Sequence, residues 1–414
     1  MLAIQMMQQM IWQIAALLYS PVFWLAVLLV YLQARQRARM KQDFFQLRRE
    51  PVGKTVLLTT IAGLAGGALA SGLLLLLGVS VDRIGLEYLW MIALLLMLFR
   101  QRFLCFGYSG GVLAMLHYMI GWPDMDSSQL LAMVAVLHFT EAFLVLTTGH
   151  LNALPIYLQN DRRNVVGGFV LQMIWPLPLV MLSALYSGTT VPQAGFLLLP
   201  DWWPVLRHPQ SACAAAGVFM LLPVLAALGY SDLAVSGSIK QKTRQSAVLL
   251  LLYSTVLLLL VLWTQSVPAL QIIPAVFAPL GHEAVIWYGK RQELQRQCHF
   301  AGPDRGLLVL DVQQGSPAAK AGLRSEDWIF LLDGQPIANR QDFLRKQYLL
   351  SGTIMVKYLR KGKSRQCRMS MGRWSQPGII SAPDRQCSIY WTLGKDEGIM
   401  KFLYKKLGKR LKKI

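Results

Sequence analysis

Gly306-Leu307-Leu308-Val309-Leu310-Asp311-Val312 opens the stretch on which the reading turns. It continues as Gly315-Ser316-Pro317-Ala318-Ala319-Lys320-Ala321-Gly322-Leu323, Asp327-Trp328-Ile329 and Asp333-Gly334-Gln335-Pro336-Ile337. Val309 to Val312 is an apolar run of strand length. Ser316-Pro317 suits a helix start, with Ser as N-cap and Pro at the first helical position. Gly322 suits the left-handed residue that ends such a helix. Trp328 to Leu332 is a second strand, and Asp333-Gly334 a turn dipeptide. Asn339 to Leu350 carries Phe343, Leu344 and Tyr348 at helical spacing. Thr353 to Arg360 and Arg365 to Met371, flanking Lys361-Gly362-Lys363-Ser364, predict a hairpin.

This order of elements and residues resembles a PDZ domain of the bacterial type. PDZ domains bind extended peptides by adding a strand to a sheet edge. The resemblance implies a carboxylate-accepting loop at Arg305, Gly306, Leu307 and Leu308. It also implies a groove between the strand through Leu308, Val309 and Leu310 and the helix carrying Phe343, Leu344 and Gln347. No Gly-Leu-Gly-Phe-like segment precedes it, which leaves an internal peptide, or a purely structural use, open beside capture of a free C-terminus.

The chain before this domain predicts a membrane protein. It is 54% apolar, and a bilayer core takes about 20 apolar residues per helix. Nine runs qualify: Met10 to Leu32, Thr55 to Val79, Ile84 to Phe99, Phe103 to Gly121, Leu130 to Thr148, Val166 to Leu185, Ala212 to Gly229, Ala247 to Trp263 and Leu270 to Trp287. The first has no basic residue before it and no small-residue cleavage site, so it predicts a retained anchor. Only Arg100-Gln101-Arg102 separates the third and fourth, which leaves a re-entrant pair open. The expected fold class is an α-helical polytopic membrane domain (1–289), a small PDZ-like α+β domain (290–375) and an extension with a basic amphipathic helix (376–414).

Positive charge orients membrane spans. Arg35, Arg37, Arg39, Lys41, Arg48, Arg49 and Lys54 follow the first run; Arg100 and Arg102 follow the third. Arg162 and Arg163 follow the fifth, and Lys240, Lys242 and Arg244 the seventh. This places the N-terminus outside and the PDZ-like domain in the cytoplasm. Trp202 and Trp203, in the longest outer connection, predict an interfacial anchor.

The whole chain carries a formal net charge of +20. In its tail, Ile399, Phe402, Leu403, Leu407 and Leu411 recur at three- and four-residue spacing, while Lys401, Lys405, Lys406, Lys409, Arg410, Lys412 and Lys413 fill most of the rest. Such a helix lies on an anionic lipid surface, each cation contributing about 1 kcal/mol. Nucleic acid is disfavoured, because one face is apolar and no nucleic-acid module is present.

Enzyme motifs are incomplete. His282-Glu283-Ala284-Val285-Ile286 lacks the second His of a zinc His-Glu-x-x-His helix. Leu332-Asp333-Gly334 falls on the PDZ-like turn. Gly107-Tyr108-Ser109-Gly110-Gly111 has nucleophile-elbow spacing but lies in an apolar run, where Gly and Ser promote helix packing. Cys105, Cys213, Cys298, Cys367 and Cys387 show no metal-ligand spacing. No cofactor, metal or catalytic residue is expected. Glu141 and Glu283, with His138 and His282 nearby, are ionisable groups inside apolar runs. They predict an interhelical polar contact or a proton or ion path.

The combination of a polytopic domain followed by one PDZ domain resembles the MinJ family of bacterial cell-division topological determinants. The resemblance implies an adaptor, not an enzyme, linking the polar scaffold DivIVA to the division inhibitor MinD and so restricting septum placement. An intramembrane protease or its regulator, and an ion-coupled transporter using the glutamates, are the alternatives. Replacing Lys405, Lys406, Lys409 and Arg410 with Gln should weaken binding of the isolated tail to anionic vesicles. Unchanged binding in a sedimentation assay would remove the lipid reading.

Overall fold

The computed structural model describes residues 2–47, 50–159, 165–185, 203–206, 218–302, 305–347, 351–372 and 376–384. The basic tail, Trp202, Cys213 and Cys387 lie outside them.

The first part begins with helices α1 (Leu2–Leu18) and α2 (Pro21–Phe45). The single span expected over Met10 to Leu32 is broken here, with the two halves bent by 66°. Ser20 is the N-cap of α2, its hydroxyl accepting from Val22 N, and Pro21 starts the helix. Pro21 has no N–H to continue α1. Helix α3 (Gly53–Leu77) follows, then α4 (Leu86–Phe99), α5 (Phe106–Ile120) and α6 (Ser127–Thr148). At 1.5 Å per residue α4 and α5 are each about 21–22 Å long, short of the ~30 Å hydrocarbon core. They are joined through Arg100–Cys105 as a short helical pair.

Two expected spans are not helices. Val166 to Leu185 and Ala212 to Gly229 fall in strands β2 (Val165–Leu185) and β3 (Val218–Ala234), which pair antiparallel behind a short β1 (Leu154–Gln159) in the order β1-β2-β3. A continuous apolar run does not distinguish a buried strand from a helix. Pro176 and Pro178, two residues apart, and Pro223 weigh against a helix, although a single interior proline, Pro279, is accommodated in α8. Helices α7 (Ile239–Thr264) and α8 (Ile272–Gln295) complete this part. Among the described residues four helical segments are long and apolar enough to cross a membrane: α3, α6, α7 and Pro268–Gln295. The α1–α2 pair makes a fifth if it is one span. Among the described residues, the nine helical spans expected are therefore not found.

The long hairpin is held by α3. In an antiparallel pair, alternate residues turn their N–H and C=O away from the partner strand. Pro176, Pro178 and Val180 share that parity in β2. The Val180 N–H donates to Ser71 Oγ (2.8 Å). Pro176 O and Pro178 O lie where a Cβ on Gly63 or Gly67 would stand, at 2.2 and 2.3 Å. Gly63, Gly67 and Ser71 recur every fourth residue, so they line one face of α3. The prolines occupy positions where no ladder N–H is required. Trp203 closes the far end, its indole N–H donating to Leu75 O (2.8 Å).

The second part is a sheet of order β8-β7-β5-β4-β9, with β6 on β5. Its strands are β4 (Leu307–Val312), β5 (Trp328–Leu332), β6 (Gln335–Pro336), β7 (Gly352–Arg360), β8 (Lys363–Met371) and β9 (Ile379–Ser381). Its helices are α9 (Pro317–Lys320) and α10 (Arg340–Gln347). The local signals read from the sequence operate here. Ser316 Oγ accepts from Ala319 N, and Pro317 starts α9. Lys361 and Gly362 take positive φ in the two-residue β7–β8 turn. Leu307, Val309, Ile329, Phe343 and Val356 form the core. The fully buried Asp327 receives a two-pronged contact from Arg360 Nε and Nη2, both 2.7 Å. The boundary expected at residue 290 falls inside α8, and β9 comes from the segment expected to be an extension.

Gly67→Leu should force α3 off β2 and destabilise the detergent-solubilised protein by about 1–3 kcal/mol, the usual cost of overpacking. Gly72→Ala, where an added Cβ meets nothing within 4 Å, should be close to neutral in the same thermal melt. Equal melting of the two variants would refute the clamp.

Candidate functional site

The expected peptide edge belongs to β4. On one side β4 pairs with β5, with Leu307 opposite Ile329 and Leu308 opposite Trp328. On the other side it pairs antiparallel with β9, with Val309 opposite Ser381 and Val312 opposite Ile379. Ala382 N donates to Leu308 O (2.7 Å) and Gln313 N to Gly378 O (2.8 Å). Both edges of β4 are therefore taken, and the strand expected to receive a peptide already carries a segment of its own chain.

The other residues expected at the groove are distributed differently. Leu307, Val309, Leu310 and Phe343 are buried, while Leu308, Leu344 and Gln347 are half-buried. Gly306 N donates to Ile337 O and Ala338 O, and Arg305 O accepts from Trp328 Nε1. The Gly306 N–H is thus spent inside the domain instead of facing a ligand carboxylate. Helix α10 begins with Asn339 Oδ1 accepting from Asp342 N (2.9 Å). The Ala338 N–H and then Lys346 hold the Asp342 carboxyl below the ordinary range. Arg340, at the start of α10, donates from Nε to Ser381 Oγ on β9 (3.1 Å).

The same segment touches the first part of the chain. Tyr157 donates its hydroxyl to Ser381 O (2.7 Å), and its ring lies 5.6 Å from the Arg340 guanidinium carbon. Gly167 N, on β2, donates to Phe300 O (2.9 Å). Lys41 on α2 bridges Glu50 and Asp311, both at 3.0 Å. The PDZ-like sheet is thereby seated on α2, β1 and β2.

The polar residues expected inside apolar spans form two neighbouring groups. Glu283 accepts from the Tyr108 hydroxyl (2.6 Å) and pairs with Arg102 Nη2 (2.9 Å). It does not pair with a histidine. His138 on α6 and His282 on α8 instead converge on Cys105, the N-cap of α5, with Nε2 to Sγ distances of 3.1 and 3.5 Å. Glu141 lies one turn beyond His138 on α6. Ser109 Oγ is buried with no hydrogen-bond partner, so the Ser-His geometry of an intramembrane protease is not assembled here. The glycines around Ser109 pack helices. A Cβ on Gly110 would stand 2.8 Å from Val134, and one on Gly111 2.3 Å from Pro279.

The sequence names Cys105, Arg102 and Tyr108 in other connections, but none of them as a partner of His138, His282 or Glu283. The histidines lie 33 and 177 residues from Cys105, and ligand or pairing partners at such separations leave no local spacing. The available signal was one histidine in each of two apolar helices, together with a cysteine at the start of a third.

Residues 290–370 match the PDZ domain family. The chain is 22% identical to the cell division topological determinant MinJ of Bacillus subtilis over 231 residues, 55% of this chain and 52% of that protein. It thus spans about half the length of that relative. Serine protease Do-like HtrA of Bacillus subtilis is 40% identical over 63 residues, 14% of each chain. A probable periplasmic DegP-like serine endoprotease of Rhizobium meliloti is 32% identical over 80 residues, 19% of this chain and 16% of that one. These protease matches are partial, limited to the PDZ domain, and lend no support to catalysis. The crystal structure of the PDZ domain of the SdrC-like protein of Listeria monocytogenes covers 19% of this chain and 87% of its own, at 24% identity and a TM-score of 0.17. The chain carries a PDZ domain in its C-terminal region, has several helices apolar enough to span a membrane, and is similar to MinJ.

Proposed function

We propose that the protein is a membrane-anchored adaptor of cell division whose PDZ domain takes up an extended segment of a partner at β4, in exchange for β9. The observation that carries this reading is the β4–β9 pairing. What supports it is that this edge pairs antiparallel with β9, a three-residue strand of the same chain flanked by bonds at Gly378 and Ala382. A partner segment able to extend the ladder further would compete by mass action. By resemblance to MinJ, a polar scaffold such as DivIVA and the inhibitor MinD are the candidate partners, and septum placement the outcome.

The orientation proposed is N-terminus outside and PDZ domain cytoplasmic. Counting the α1–α2 pair, α3, α6, α7 and α8 as crossings gives an odd number, as nine did. The basic connections after α2, after α6 and before α7 then fall on one side. Contacts that support this gather those connections at one end: Lys41 with Asp311, Gly167 with Phe300, and Lys242 with Glu293 (3.8 Å).

A photoreactive residue at position 308 in cells should crosslink division proteins, and Ile380→Pro, which removes an N–H from β9, should raise the yield several-fold. A fluorescent fusion should concentrate at septa and poles. Capture of no division protein from either version, with uniform membrane fluorescence, would overturn the adaptor reading.

A further inference from the structure

Cys105, His138 and His282 come from three different elements and meet at one point in the helical bundle. Each offers one donor atom, and the three lie within 4.8 Å of one another. In a tetrahedral zinc site with Zn–S about 2.3 Å and Zn–N about 2.0–2.1 Å, sulfur and nitrogen stand about 3.5 Å apart. The observed separations of 3.1 and 3.5 Å differ from that by a few tenths of an ångström at most.

The surroundings prepare the ligands. The His138 Nδ1 to Val134 O contact of 2.7 Å makes Nδ1 the protonated nitrogen and leaves the Nε2 lone pair facing Cys105. A backbone carbonyl on the remote nitrogen is the usual outer partner of a metal-bound imidazole. His282 is 8% exposed, and its Nδ1 has no hydrogen-bond partner. The ring is therefore held by packing and directed by its Nε2. Gly107 makes room for it, since a Cβ there would stand 3.3 Å from the His282 ring. Tyr253 and Tyr108 close over it, with ring centroids at 5.6 and 5.0 Å. Gly111 against Pro279 fixes α5 on α8, so the distance from Cys105 to His282 is set by backbone packing.

We propose that Cys105, His138 and His282 form a site for a thiophilic d10 cation, Zn²⁺ or Cu⁺. One thiolate and two imidazoles are a donor set for those ions and not for Mg²⁺ or Ca²⁺, which take oxygen. Three protein ligands leave a further coordination position open on zinc. Binding releases the Cys105 thiol proton and ties α5, α6 and α8 together.

The full-length protein, purified in detergent without chelator, should contain about one zinc or copper per chain by elemental analysis. Loading the stripped protein with Zn²⁺, or with Cu⁺ under anaerobic reductant, distinguishes the two ions. Co²⁺ should give a thiolate-to-cobalt charge-transfer band, lost in Cys105→Ser and kept in Cys298→Ser. His138→Gln should weaken Co²⁺ binding by about tenfold or more. If the ligand variants fail to fold, the native cobalt spectrum decides alone. A native protein that shows no sulfur band and takes up neither Zn²⁺ nor Cu⁺ above buffer background has a hydrogen-bonded trio there and overturns the site.

Discussion

Backbone oxygens of β2 rest directly on the glycine face of α3, and most of the first part of the chain is placed by that contact. A strand inside an apolar bundle must satisfy its second edge or bury it without cost. Here two prolines remove N–H groups that would face the helix, and Ser71 meets the one at Val180. Gly63 and Gly67 allow the approach. Once β2 is held this way, β3 pairs along its other edge over 17 residues, and α6 packs on α3 through Leu144 against Gly66. The short α4–α5 pair and the α5–α8 glycine contact then build the polar centre.

Legibility in the sequence follows the range of the interaction. The caps and turns of the PDZ-like part, such as Ser316 with Ala319 and Lys361 with Gly362, were readable because they are decided within four residues, whereas β9 was not, because its partner β4 lies about 70 residues back. The helices α3, α6, α7 and α8 were readable because a long uncharged run carries its own hydrogen bonds. The β2–β3 hairpin was not, because its hydrophobicity is that of a span and its partner edge lies on a helix 109 residues away at Ser71 and Val180. Its prolines held the correction. The break between α1 and α2 was likewise written in Ser20-Pro21.

The site residues divide in the same manner. Phe343, Leu307 and Val309 were singled out for a groove and prove to be core, since the resemblance fixed the elements but not the occupant of the edge. His138 and His282 were singled out beside the glutamates, as one side of an interhelical polar contact. Glu283 is instead neutralised by Arg102 and Tyr108. A charge in an apolar bundle needs a counter-charge, and Arg102, in the connection that leads into α5, supplies it. That leaves the histidines to the sulfur.

Strand β2 has one further consequence. Its C-terminal half is fixed to α3, whereas its N-terminal half pairs with β1 and reaches Phe300, and β1 carries the Tyr157 hydroxyl that holds Ser381. One stiff rod thus runs from the apolar bundle to the segment lying on the PDZ edge. A displacement of the end of β2 held on α3 would be carried along this ladder, through β1 and the Tyr157 hydroxyl, to Ser381.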